Sequence, residues 1–128
     1  MRYMLLIYNC EQPAPGEPGF EEALARVNAF AAECRRRNVF VAGDPLQEES
    51  TATTVRVRDG RTLITDGPFA ETHDHLGGYY ILDCATLDEV LELAEICPFA
   101  ADGAIEVRPL AGGVPGLDHS AAEVFAAE

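Results

Sequence analysis

Basic residues are scarce in this chain. Nine Lys+Arg stand against 22 Asp+Glu over 128 residues, a formal charge of −13 at neutral pH. A surface of that sign repels phosphate backbones and anionic headgroups, which argues against a nucleic-acid or membrane partner. Long apolar runs are missing as well. Residues 3–8 are apolar but far too short for a secretory signal or a membrane span. The expectation is a cytoplasmic protein with reduced thiols. Cys10, Cys34, Cys84 and Cys97 include no C-x-x-C pair, so the close-spaced ligands of a structural zinc site are absent. There is no glycine-rich phosphate loop, dinucleotide fingerprint, serine nucleophile elbow or zinc-protease helix. Most large enzyme classes fall with those absences, and neither a cofactor nor a metal is expected.

What is present describes one globular domain with a tail. Apolar content of 48% beside 24% charged residues suits a soluble fold, and the length suffices for a core without staples. Residues 3–8 read as a strand covered on both faces. A Pro/Gly-rich loop over 9–19 follows, and then Phe20, Leu24, Val27, Ala31 and Cys34 form one helical stripe. Arg35, Arg36 and Arg37 end that helix, where cations suit the macrodipole. Residues 39–42 read as a short strand stopped by Gly43-Asp44-Pro45. Residues 53–58 and 62–65 alternate around Asp59-Gly60, a strong hairpin signal. Residues 78–84 form the next strand. Thr86 and Glu89 form a capping box for a helix presenting Leu87, Val90, Leu91 and Ala94, closed by Pro98. A last strand spans 104–110, with Glu106 and Arg108 on the face opposite Ile105 and Val107, placed for an ion pair.

This order is the ferredoxin-like split βαβ plan of an α+β protein, with a β-hairpin inserted at its centre. Both helices cover one face of the antiparallel sheet. Leu6, Tyr8, Val41, Tyr80 and Leu82 suggest that the other face is partly apolar and needs a cover. A second copy of the chain supplies it, giving a homodimeric α+β barrel. Residues 1–110 make up the domain, and residues 111–128 a linker and tail. Ser120 and Glu123 can cap a short helix there, and Val124 and Phe125 either dock or fray.

Residues 65–72 are the most informative stretch. Asp66-Gly67-Pro68 is a turn by its own chemistry, since Gly accepts positive φ, Pro fixes φ and Asp bonds nearby backbone. Asp66-Gly67-Pro68-Phe69 with Glu71, the downstream Leu76-Gly77-Gly78-Tyr79-Tyr80 and the opening Arg2-Tyr3-Met4-Leu5-Leu6-Ile7-Tyr8 resemble the DGPF branch of the YCII-related proteins. The resemblance runs from Met1 to about Leu110. It implies the dimeric α+β barrel and an association with extracytoplasmic-function sigma factors. In the broader family it also implies a His–Asp pair, with the histidine on the first helix and the aspartate before a proline closing the second. This chain departs at both places: no histidine precedes His73, and Cys97 stands before Pro98.

Asp66 is the first candidate for chemistry. In a cleft between sheet and hairpin it acts as a general base or ligand acceptor; otherwise it only bonds its own turn. Gly67 and Pro68 set its geometry, and Phe69 either walls a pocket or packs under the hairpin. His73 and His75 share a face if their segment is extended. With Asp66, Glu71 or Asp74 they make a small N/O site, or else a solvated loop. Tyr79 and Tyr80 point to opposite sides of their strand, and Tyr80 with Tyr8 is placed at the inter-sheet cavity as a ligand wall or a dimer contact. Cys97 reads as structural. The expected function is a small-molecule-binding or regulatory protein with its pocket between sheet and hairpin. One alternative is a cofactor-independent enzyme using Asp66 and His73 in proton transfer. Another is an adaptor or effector in a sigma-factor pathway.

Overall fold

In the computed structural model, residues 1–69, 73–112 and 115–117 are described. The elements run β1 (Arg2–Tyr8), α1 (Phe20–Arg36), β2 (Phe40–Pro45), a 3-10 turn (Glu49–Thr51), β3 (Thr53–Arg58), β4 (Arg61–Asp66), β5 (Leu76–Asp83), α2 (Leu87–Ile96), α3 (Phe99–Asp102) and β6 (Ala104–Pro109). Four strands form an antiparallel sheet in the order β2-β5-β1-β6, while β3 and β4 form a separate two-stranded ribbon among the described residues. Without the hairpin this is the split βαβ plan. β5 inserts between β1 and β2, and β6 closes the far edge. The fold is α+β and ferredoxin-like.

Local chemistry explains the boundaries. Asp59 and Gly60 both take positive φ, 52° and 73°, the geometry a two-residue hairpin turn requires. Thr86 caps α2 by accepting from the Glu89 backbone N–H at 3.2 Å. The Glu89 carboxylate reaches back to Ala85 N–H rather than to Thr86, so the capping box closes one residue early. Arg36 and Arg37 both pair with Glu33 at the end of α1, and the Arg36 bond first holds that carboxyl below its usual range. Glu106 and Arg108 do pair across the sheet surface, at 3.9 Å.

Three expectations change. β2 continues through Gly43-Asp44 to Pro45 instead of stopping before them. It is an edge strand, so a proline at its end forfeits no ladder bond that the sheet needs. Both helices are rotated relative to the expected stripes: α1 buries Ala23, Phe30 and Cys34 while Leu24 is exposed, and α2 buries Val90, Leu93 and Ala94 while Leu87 and Leu91 are exposed. Leu5 pairs with Tyr80 and Tyr3 with Leu82. Tyr80 and Leu82 therefore belong to the helix-covered face, not to the face that carries Leu6 and Tyr8.

The core lies between that covered face and the helices. Leu5, Leu82, Val90, Leu93, Cys34 and Cys84 are fully buried. The Tyr80 ring meets Phe30 edge-on at 5.2 Å and stacks on Phe99 at 6.5 Å. It lies across Gly43, where an added Cβ would stand 2.4 Å from the ring. On the other face, Met4, Leu6, Tyr8, Tyr79 and Ile81 are only half-buried. Ser120, Glu123, Val124 and Phe125 of the tail, and Glu71, fall outside the described residues.

Two outcomes follow from this packing. Gly43→Ala should destabilise the protein by about 1–3 kcal/mol, the usual cost of overpacking; an unchanged urea midpoint would contradict the close approach. The Cys34, Cys84 and Cys97 thiols, ordinarily at 9.0, are pushed up to about 11, 12 and 11, chiefly by burial. Above pH 9 the unfolded chain ionises these thiols while the folded one keeps them protonated, so the unfolded state binds fewer protons. Their contribution is full below that pH and is lost toward pH 11–12. Urea midpoints should therefore fall from pH 8 to pH 10, and constant midpoints would show the thiols solvated.

Candidate functional site

The hairpin brings Asp66 to the last residue of β4, opposite Thr53. Its base is tied by Gly67 N–H to Ala52 C=O at 2.7 Å and by Thr54 Oγ1 to Gly67 C=O at 2.8 Å. Gly67 takes φ 100°, as the turn chemistry predicts. Asp66 and Pro68 are exposed, and Phe69 is 71% exposed, with Arg56 over its ring at 5.7 Å. Asp66 therefore sits on a solvated ribbon. His73 is exposed too. His75 meets Glu49 through Nδ1 at 2.7 Å, and its backbone N–H donates to Asn9 Oδ1 at 2.9 Å. Asn9 donates in turn to Asp74. No group of three metal-ligating side chains forms among the described residues. Tyr8 ends β1 on the uncovered face, away from Tyr80.

A cleft lies elsewhere, on the helix side of the sheet. It holds about 780 Å³ between α1, the β2–β5 edge and the segment that leads into the 3-10 turn. Val27 and Ala31 line it from α1, Phe40 and Gly43 from β2, Tyr80 from β5 and Phe99 from α3. Several of its lining residues are small: Ala31 on the helix, and Gly43, Gly77 and Gly78 on the strands. The mouth is polar. Arg35 lies over Phe40 at 4.5 Å, and Tyr79 donates its hydroxyl to Asp44 at 3.3 Å. Tyr80 at the inner wall is 7% exposed, and burial pushes its phenol up to about 12. A second, smaller hollow of about 410 Å³ adjoins it, lined by Asn9, Cys10, Glu11, His75 and Asp102.

Of the residues expected to form the site, Tyr80 lines this cleft, and Tyr8, Asp66, Gly67, Pro68, Phe69 and His73 do not. Sequence reading missed Val27, Ala31, Phe40, Asp44 and Phe99 as site residues. A signal for them existed in part, because the Gly43 and Gly77-Gly78 positions remove side chains from paired strands. Which helix face meets that gap is a tertiary fact, and it was out of reach. Cys97, at the C-cap of α2, is buried with its thiol raised by desolvation, as a structural cysteine should be.

Comparison with known proteins gives three findings. A solved structure of 5-chloro-2-hydroxyhydroquinone dehydrochlorinase from Burkholderia phenoliruptrix AC1100, in complex with 2,5-dihydroxybenzoquinone, aligns over 88% of this chain and 96% of that one, with 19% identity and a TM-score of 0.44. An uncharacterized protein of Rhizobium meliloti is 48% identical over 69 residues, 52% of this chain. The matched region spans 56% of that protein's length. The model of the YCII-related domain matches residues 1–111, and the chain belongs to that family.

Proposed function

We propose that this YCII-related chain is a small-molecule-binding or regulatory protein whose ligand occupies the cleft between α1 and the β2–β5 edge. One observation carries the reading: a concave space of about 780 Å³ whose inner walls are Val27, Ala31, Phe40, Tyr80 and Phe99 and whose polar groups gather at the mouth. Small-molecule sites have that size and that division of character. The ring packing that fixes Tyr80 makes its wall rigid before any ligand arrives, which lowers the ordering cost of binding. The pocket so placed lies beneath the helix, not beneath the hairpin. Asp66 and His73 stand outside it, so ligand capture rather than proton transfer by that pair is what the geometry supports.

A homodimer is the second part of the proposal. Met4, Leu6, Tyr8 and Ile81 form a half-buried apolar face with no helix over it among the described residues. On the hairpin, Val55 and Ile64 pair across the ribbon at 60% and 68% exposure. Apolar surface of this kind on a sheet marks an interface, and a second copy brings the same surface to meet it.

Two measurements test these readings. Native mass spectrometry of protein purified from its own host should show a bound small molecule that is lost in Ala31→Trp with unchanged circular dichroism. The same molecule should stay in the Asp66→Asn/His73→Ala double variant; the reverse pattern would move the site to the hairpin. Sedimentation should give a dimer for the native protein and a folded monomer for Leu6→Arg, whereas a native monomer would contradict the proposed assembly.

A further inference from the structure

The β3–β4 ribbon has two unlike faces. Its register sets Val55 beside Ile64 and Val57 beside Thr62 on one, and Arg56 beside Leu63 and Arg58 beside Arg61 on the other. All of these side chains are exposed. The second face is basic in a chain of charge −13, and it holds three of the nine Lys+Arg. Arg58 and Arg61 stand directly opposite each other, a like-charge pairing that costs a ribbon stability. No carboxylate meets these arginines among the described residues. Arg56 lies over the Phe69 ring instead, and Arg58 donates to the Val57 carbonyl. A lone two-stranded ribbon is marginal in water. This one therefore needs opposite charge from elsewhere.

That charge lies on α2. Asp88, Glu92 and Glu95 fall at i, i+4 and i+7, which makes them one exposed ridge of the helix. The helix contains no Lys or Arg, so like charges stand a turn apart and Glu95 lies uncompensated at the negative end. Leu87 and Leu91 flank the ridge on one side and Ile96 on the other, all exposed. The spacings agree as well. Asp88 and Glu92 are about 6 Å apart along the helix axis, and Arg56 and Arg58 about 7 Å apart along their strand. Both surfaces thus carry charge of one sign bordered by aliphatic side chains, and the signs are opposite.

Within one chain the two elements belong to opposite edges of the sheet. The ribbon follows β2 at one edge, whereas α2 packs against β6 at the other. A two-fold axis parallel to the strands, between two sheets meeting on their uncovered faces, sets β2 of one copy across from β6 of the other. Resting on the reading of this protein as a homodimer, we infer that the arginine face of each ribbon docks on the acidic ridge of α2 in the second copy. Arg56, Arg58 and Arg61 pair there with Asp88, Glu92 and Glu95, and Leu63 packs on the flanking leucines. The contact is made twice in the dimer and relieves the repulsion on both elements together.

Charge reversal tests it, with the full chain followed by sedimentation equilibrium and circular dichroism. Arg58→Glu/Arg61→Glu on the ribbon and Glu92→Arg/Glu95→Arg on α2 should each weaken the dimer at least about tenfold, because each sets like charges face to face. An equimolar mixture of the two variants should recover the native dissociation constant to within about threefold. Every ribbon in the mixed dimer meets an α2 of opposite sign, a rescue that a contact inside one chain could not give. If the native protein dimerises and neither variant changes its dissociation constant, the inference falls while the homodimer stands. The same holds if both variants weaken the dimer and mixing restores nothing. If either variant unfolds, its charges serve their own chain and the inference falls as well. A native monomer overturns both readings.

Discussion

One aromatic ring joins the core of this fold to the cleft proposed as its ligand site. Tyr80 is anchored by its backbone in β5, crosses Gly43 of β2, and packs against Phe30 of α1 and Phe99 of α3. Sheet, long helix and short helix therefore share a single contact point. Gly43 is what permits it, because any side chain at that position would occupy the space of the ring. The same arrangement makes the core on one side of the ring and the cleft on the other. If the cleft binds a ligand as proposed, stability and binding draw on one set of residues, and a change at the ring's surroundings is felt in both.

Much of the architecture is legible in the residues themselves. Asp59-Gly60 specifies its turn because few sequences tolerate two consecutive positive φ angles. Thr86 specifies a helix start because its oxygen satisfies a free N–H. The rotation of the helices is not legible in the same way. In α1, Phe20-Leu24-Val27-Ala31-Cys34 and Ala23-Val27-Phe30-Cys34 are both valid stripes, and only the neighbouring sheet chooses the second. In α2, leucines at 87, 91 and 93 surround the axis, so period alone cannot say which one is buried. The face on which Tyr80 lies depends on register with β1, a long-range pairing that no local pattern records. The site inherits that difficulty, since its walls come from residues far apart in sequence that meet only in the folded chain.

Membership of the YCII-related family rests on a match across residues 1–111 and leaves this chain's chemistry to its own side chains. The Asp66-Gly67-Pro68-Phe69 turn stands out in the sequence because turn residues are informative locally. In the folded chain it closes a ribbon of its own, with exposed apolar residues on β3 and β4. Such a ribbon suits assembly. The cleft suits capture, with its rigid aromatic wall and charged mouth. The proposed interface and the proposed ligand cleft lie apart, since the cleft is lined by Arg35, Asp44 and Glu48 and by no residue of β3 or β4.

Soaking crystals of the native protein with a library of small aromatic fragments tests the central claim most directly. Density for the bound fragments should concentrate between Ala31, Phe40 and Tyr80. Fragments gathered around Asp66 and Phe69 while that space stays empty would contradict the account.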